Sequence, residues 1–245
     1  GPEDRFDVMT FNTSPDLQFG QLHAVDSEAK QAAEQYLLSQ RARGGTALRP
    51  AIMTAYKFKD SDRPLNVVVL SDGMTEVREQ TELLSAIKDA PSGTRVFCIG
   101  IGNDINRPLL KQVAEGAGGL AAFISHQDDF SRQAQAFRRK LMRPVASDVK
   151  IAVAGVEAFD LSSEQLQDLF YGSPVWLLGR YRQAGSASIT VSANVLGQPF
   201  EQTIAVEFPK VDAANPEIER MWAFEQVQKL MNELRARGQD QSKVD

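Results

Sequence analysis

Two loops in this 245-residue sequence set oxygen-bearing side chains beside glycines, an arrangement able to present ligands where a chain turns sharply. In Gly44-Gly45-Thr46 a flexible turn places a hydroxyl next to the start of a helix. In Leu70-Ser71-Asp72-Gly73 a carboxylate leaves the end of an apolar run beside a glycine. A hydroxyl and a carboxylate suit a hard cation such as magnesium, which takes oxygen ligands and keeps several waters. Each loop also has a plainer reading, because threonine after two glycines is commonly a helix cap and aspartate before glycine commonly a turn residue. A third loop, Gly100-Ile101-Gly102-Asn103-Asp104-Ile105, carries two of the three glycines of a dinucleotide fingerprint, with Ile105 where the third belongs. No nucleotide site is expected there. Asn103 and Asp104 are expected instead on the rim of one ligand face with Gly45, Ser71 and Gly73, around the candidate metal ligands Thr46 and Asp72.

The remaining reactive side chains point away from catalysis. His23 and His126 are far apart and have no serine or cysteine motif beside them, so surface or capping roles are expected. Cys98 is the only cysteine, which rules out an internal disulfide, and its apolar surroundings predict a buried thiol acting as a small hydrophobe. No paired carboxylates, nucleophile elbow or phosphate loop is found, and no enzymatic activity is expected. The net charge of −5 gives no general attraction to nucleic acid. No apolar segment approaches the roughly 20 residues needed to span a bilayer. The basic run Arg138-Arg139-Lys140 reads as a solvated helix face.

The elements that position these loops follow from periodicity. Residues 5–11 and 17–22 read as a hairpin, and Asp26 or Ser27 caps a helix with Ala29, Ala32, Ala33, Tyr36 and Leu37 on its apolar face. A second helix carries Leu48, Ala51, Ile52 and Ala55, with Pro50 tolerated in its first turn. Leu65-Asn66-Val67-Val68-Val69-Leu70 is nearly all apolar, which predicts a strand covered on both faces of a parallel sheet. Helix (Leu83, Leu84, Ile87), strand 95–101, helix 108–115, strand 120–125 and helix 129–141 then alternate, with Phe130, Ala134, Phe137 and Leu141 inward on the last. This order predicts an α/β fold with a doubly wound, mostly parallel sheet.

After Pro144 the period changes to alternation. Residues 149–153, 175–182, 189–195 and 204–208 predict about four strands in a small antiparallel sheet or sandwich, the last two joined across Leu196-Gly197-Gln198-Pro199. Asn215-Pro216-Glu217 then starts a helix whose apolar residues Ile218, Met221, Trp222, Leu230, Met231 and Leu234 must dock on something, with Trp222 as a core anchor. The expected divisions are 1–143 for the α/β domain, 144–212 for the antiparallel region, 213–238 for the helix and 239–245 for a solvated tail.

Consecutive segments carry a resemblance: Asp4-Arg5-Phe6-Asp7-Val8 with Phe11-Asn12, Gly44-Gly45-Thr46, Val68-Val69-Leu70-Ser71-Asp72-Gly73, and Val96-Phe97-Cys98-Ile99-Gly100-Ile101-Gly102. In this order they resemble a von Willebrand factor type A domain. Gly118-Gly119-Leu120-Ala121, the Pro144 boundary, the sheet region and Ile218-Glu219-Arg220-Met221-Trp222-Ala223 extend the resemblance to the heavy chains of inter-alpha-trypsin inhibitor and their bacterial relatives. It implies a protein-binding or adhesion module, secreted or displayed at a cell surface and therefore extracytoplasmic. It also implies a metal-ion-dependent adhesion site, whose magnesium captures an acidic residue of a protein partner. Thr46 and Asp72 match two of that site's three loops.

The third loop, Asp-x-Ser-x-Ser, has no counterpart. Asp160-Leu161-Ser162-Ser163-Glu164 comes nearest, lacks the last serine and lies outside the domain. The resemblance therefore implies that the family's first strand and helix are absent, leaving neighbouring backbone unpaired. The expectation is a fragment of a longer protein, with the missing N-terminal segment or another copy of the chain filling the gap. Magnesium binding by this chain alone is expected to be weak or absent. The alternative function is a structural or assembly protein with a vestigial metal site.

Overall fold

A computed structural model describes residues 3–41, 44–125, 128–141, 145–163, 166–170, 174–211 and 214–237. The chain forms two compact units, Gly1–Gln127 and Asp128–Asp245. His126, Pro144, Glu164 and the tail 239–245 lie outside the described residues.

In place of the expected hairpin of residues 5–11 with 17–22, the first unit opens with two short antiparallel pairs, and residues 18–22 are not in a strand. Strands β1 (Arg5–Phe6) and β4 (His23–Ala24) pair antiparallel, as do β2 (Met9–Phe11) and β3 (Pro15–Leu17). The break has a cause: Asp7 Oδ1 accepts the backbone N–H groups of Val8 (2.7 Å) and Phe19 (3.0 Å), so a side chain replaces part of the ladder. Helix α1 (Ser27–Ser39) is capped by Asp26, whose Oδ1 accepts the Ala29 N–H at 2.8 Å. Ala29 and Ala33 are buried, whereas Leu37 is exposed, so the apolar face is narrower than expected.

Helix α2 (Leu48–Tyr56) buries Leu48, Ala51, Ile52 and Tyr56. Strand β5 (Leu65–Ser71) leads to α3 (Val77–Lys88), β6 (Thr94–Ile101), α4 (Arg107–Gly116) and β7 (Ala121–Ile124). The three strands form a parallel sheet in the order β5-β6-β7, confirming the α/β expectation. One core holds Leu48 and Ile52 from α2, Leu83, Leu84 and Ile87 from α3, Leu109, Leu110 and Val113 from α4, and Val69, Val96 and Cys98 from the sheet. The opposite face of β6 is buried as well, at Phe97 and Ile99.

Strand β5 departs from the expectation of cover on both faces. Val69 is buried, but Asn66, Val68 and Leu70 on the alternate face are exposed. β5 is an edge strand among the described residues, hydrogen-bonded only to β6. An apolar run therefore marked a strand of a parallel sheet without marking how much of it is covered.

The second unit begins with α5 (Phe130–Leu141), in which Phe137 is buried and Phe130 exposed, a correction to the expected inward face. Strands β8 (Ala146–Ala154), β11 (Gly185–Val195) and β12 (Gln198–Phe208) form an antiparallel sheet in the order β12-β11-β8. A two-residue turn at Leu196 and Gly197, both with positive φ (50° and 88°), joins β11 to β12. The run 175–182 shrinks to β10 (Arg180–Tyr181), which pairs with β9 (Ala158–Phe159). Ile151, Val153, Ile189, Val191 and Val206 are partly buried, Ala146 is buried and Ile204 is exposed.

Helix α6 (Glu217–Arg237) starts where Asn215-Pro216 predicts, with the Ile218 N–H on the Asn215 carbonyl at 3.2 Å. Trp222 is half-buried and not a core residue. Its indole N–H donates to the Asp160 carbonyl (2.9 Å), as does Gln226 Nε2 (3.1 Å), and the Arg180 guanidinium lies 5.4 Å from its ring centroid. Of the expected apolar face Ile218, Met221, Leu230, Met231 and Leu234 remain exposed, as do Phe224 and Val227, so whatever this face docks on is not supplied by the described residues.

Candidate functional site

The loops singled out in the sequence fall at the carboxyl ends of β2, β5 and β6 and at the start of α2, and the structure joins them in two pairs. In the first pair, the Ala47 N–H donates to the Asn12 carbonyl at 2.6 Å, tying the β2–β3 turn to the chain entering α2. Asn12 Oδ1 accepts the Ser14 N–H at 3.0 Å and shapes that turn. Gly45 adopts φ +97°, which favours glycine, and a Cβ there would stand 3.0 Å from Thr13 Cγ2. Thr46 follows, half-buried, with Ala47 rather than Thr46 in the cap position of α2.

In the second pair, Asp72 anchors the loop after β5. Its carbonyl accepts the Asn106 N–H at 2.8 Å, and its Oδ1 accepts the Met74 N–H at 3.0 Å. Ser71 Oγ accepts the Gly73 N–H at 3.0 Å. Gly73 has φ +71°, and a Cβ would meet Leu110 Cγ at 2.9 Å, which closes the loop onto α4. Thr75 donates its hydroxyl to Glu79 in the first turn of α3, and Glu79 Oε1 accepts the Arg49 N–H at 3.3 Å, linking α3 back to the start of α2. Asn103 and Asp104 are exposed on the loop after β6.

Asn106 is the residue that the sequence reading passed over. Its backbone fixes Asp72, and its side chain caps α4 by accepting the Leu109 N–H at 3.3 Å. The signal was present, since asparagine before Arg107-Pro108 is a helix start of the same kind as Asn215-Pro216.

Thr46 and Asp72 supply one hydroxyl and one carboxylate, with one carboxylate oxygen already engaged by Met74, so a magnesium ion held by these two alone would take most of its six oxygens from water. No hydrogen bond joins Thr46 to Asp72 among the described residues. Nor, among them, do three His, Cys, Asp or Glu side chains gather as a metal-binding group. Gly100 is explained by packing, since a Cβ there would lie 2.6 Å from Phe123 Cδ1 and 2.9 Å from Ile105 Cγ2, and Gly102 by its φ of +117°. His23 is half-buried with its ring centroid 4.4 Å from that of Phe19. Cys98 is fully buried, and burial pushes its thiol up to about 12.

Comparison with known proteins agrees with this architecture. The human inter-alpha-trypsin inhibitor heavy chain H4 is 24% identical over 95% of this chain, and the human von Willebrand factor A domain-containing protein 5A is 25% identical over 89%. The chain spans 27% of the length of the first and 29% of the second. A solved structure, the von Willebrand factor type A protein from Catenulispora acidiphila, superposes with a TM-score of 0.54 at 20% identity, covering 84% of this chain and 58% of that one. No helix among the described residues is long and apolar enough to cross a membrane. A family model described as von Willebrand factor type A domain matches residues 1–123, half of the chain, and the chain belongs to that family.

Proposed function

We propose that this chain is a protein-binding module and not an enzyme, and that its ligand face is formed by the loops carrying Thr46, Asp72, Asn103 and Asp104. The observation that carries the reading is the hold on Asp72. Its carbonyl and one carboxylate oxygen are fixed by backbone N–H groups, and its second carboxylate oxygen has no hydrogen-bond partner among the described residues. A carboxylate held this way at a strand end is preorganised for recognition.

In the whole protein this face is read as a metal-ion-dependent adhesion site that captures an acidic partner residue. Thr46 and Asp72 are the two donors this chain would bring, and further oxygen donors are needed from outside it. The edge of β5 that has no partner among the described residues, with Val68 and Leu70 exposed beside it, is where a further strand would pair, supplied by another segment of the protein or by another copy. An extracytoplasmic location belongs to the same reading. The structural reading, a vestigial metal site on an assembly protein, is favoured by the incomplete donor set alone.

The test is selection of peptides from a random displayed library against the chain, once in magnesium and once in EDTA. Acid-bearing peptides recovered only in magnesium support the metal reading. Peptides recovered equally in EDTA and insensitive to Asp72→Asn overturn both the metal and the face. Calorimetric titration with magnesium chloride alone is expected to show no binding tighter than about 1 mM, as for sites with few protein ligands.

A further inference from the structure

Helix α6 is docked by its more polar side. At about 100° per residue, Gln226 lies roughly 40° from Trp222, and these two residues hold the helix to the Asp160 carbonyl. Phe224, Val227, Leu230, Met231 and Leu234 lie roughly 80–200° from Trp222 on the same wheel. Between 43% and 62% of each of these five side chains is exposed. The stripe is thus turned away from the contacts that anchor the helix, and Phe224, Val227, Met231 and Leu234 repeat at the 3-4-3 spacing of a helix-pairing seam.

Charge decides what fits this seam. Residues 217–227 hold three glutamates and one arginine, net −2, and residues 228–237 hold one lysine, two arginines and one glutamate, net +2. An antiparallel copy of the same helix sets each acidic half beside a basic half, with opposed helix dipoles. A parallel copy stacks like charges. Antiparallel pairing also brings Phe224 opposite Leu234 and Val227 opposite Met231 of the second copy, which makes the seam self-complementary about a two-fold axis.

We propose that α6 is a homodimerisation helix that pairs antiparallel with α6 of a second copy of this chain through Phe224, Val227, Met231 and Leu234. This goes beyond the ligand face and does not depend on it. The contact spans about three helical turns, well short of the roughly 1,600 Å² of a standard interface, so the dimer is weak and concentration-dependent.

Sedimentation equilibrium of the full chain from about 10 to about 500 µM is expected to show a monomer–dimer equilibrium, weakened by added salt. The exposed variant Met231→Glu, with an unchanged circular dichroism spectrum, is expected to weaken the dimer on the order of tenfold or more. Orientation is read by disulfide trapping: Phe224→Cys mixed with Leu234→Cys gives a cross-linked heterodimer, while either variant alone stays uncrosslinked. A chain that stays monomeric throughout overturns the proposal. So does a dimer indifferent to Met231→Glu, or one in which Phe224→Cys alone cross-links.

Discussion

The backbone N–H of Asn106 donates to the carbonyl oxygen of Asp72 at 2.8 Å, so the start of α4 and the loop after β5 hold one another. The same asparagine caps α4 through its side chain. The pose of Asp72 is therefore set by a helix start and not by the loop alone, which is what a site needs if it is to meet a partner in a fixed geometry.

Replacing the cap tests this coupling. Asn106→Ala is expected to lower stability by about 1 kcal/mol, and Asn106→Ser to restore most of the loss, because serine can accept the same N–H. Urea denaturation of the three proteins reads the difference.

The glycine that resembles a nucleotide fingerprint is expected to act through packing. Gly100→Ala drives a methyl group into Phe123 and Ile105 and is expected to cost about 1–3 kcal/mol. A shortened partner, Phe123→Leu, should recover part of that loss in the double variant, as seen by thermal melting.

Stability is expected to fall at alkaline pH. Burial pushes the Cys98 thiol from 9.0 up to about 12, and the Tyr56 hydroxyl from 10.0 up to about 12. Between those ordinary and raised values the folded chain keeps protons that the unfolded chain releases, so the stabilisation present below the ordinary values is lost as pH rises toward about 12. Tyr56 OH also lacks a partner among the described residues, so Tyr56→Phe is expected to be neutral or mildly stabilising and to flatten the alkaline fall. Denaturation midpoints across the range check both statements.

Removing the indole should free α6. Trp222→Ala loses the bond to the Asp160 carbonyl and the Arg180 contact, a loss of about 1–3 kcal/mol. Hydrogen exchange should speed up in residues 217–237 and stay unchanged in the parallel sheet around β6.

The alternation of strands and helices, the inward faces of α3 and α4, and the start of α6 were legible because each follows from local periodicity or a cap. What covers a strand or helix was not. Val68 and Leu70 look like core residues in sequence, yet among the described residues β5 pairs on one side only and exposes one face, which the sheet order reveals. The apolar stripe of α6 was visible, but its anchoring through Trp222 to the Asp160 carbonyl just after β9 was not, because backbone acceptors leave no compositional trace. Of the site, Thr46 and Asp72 were found by type and spacing. The cap role of Asn106 was legible in Asn106-Arg107-Pro108, but its bond to Asp72 was not, because that bond is made by a backbone N–H, which any residue but proline provides.

The most direct test of the ligand face is the affinity of a library-selected peptide for the chain, measured by calorimetry beside Asp72→Asn and the control Asp148→Asn in the second unit. Asparagine keeps an oxygen to accept the Met74 N–H while removing the charge, so the loop is expected to persist. The predicted result is a loss of affinity on the order of tenfold or more for Asp72→Asn and none for Asp148→Asn. Equal affinity for Asp72→Asn and the unaltered chain would contradict the account.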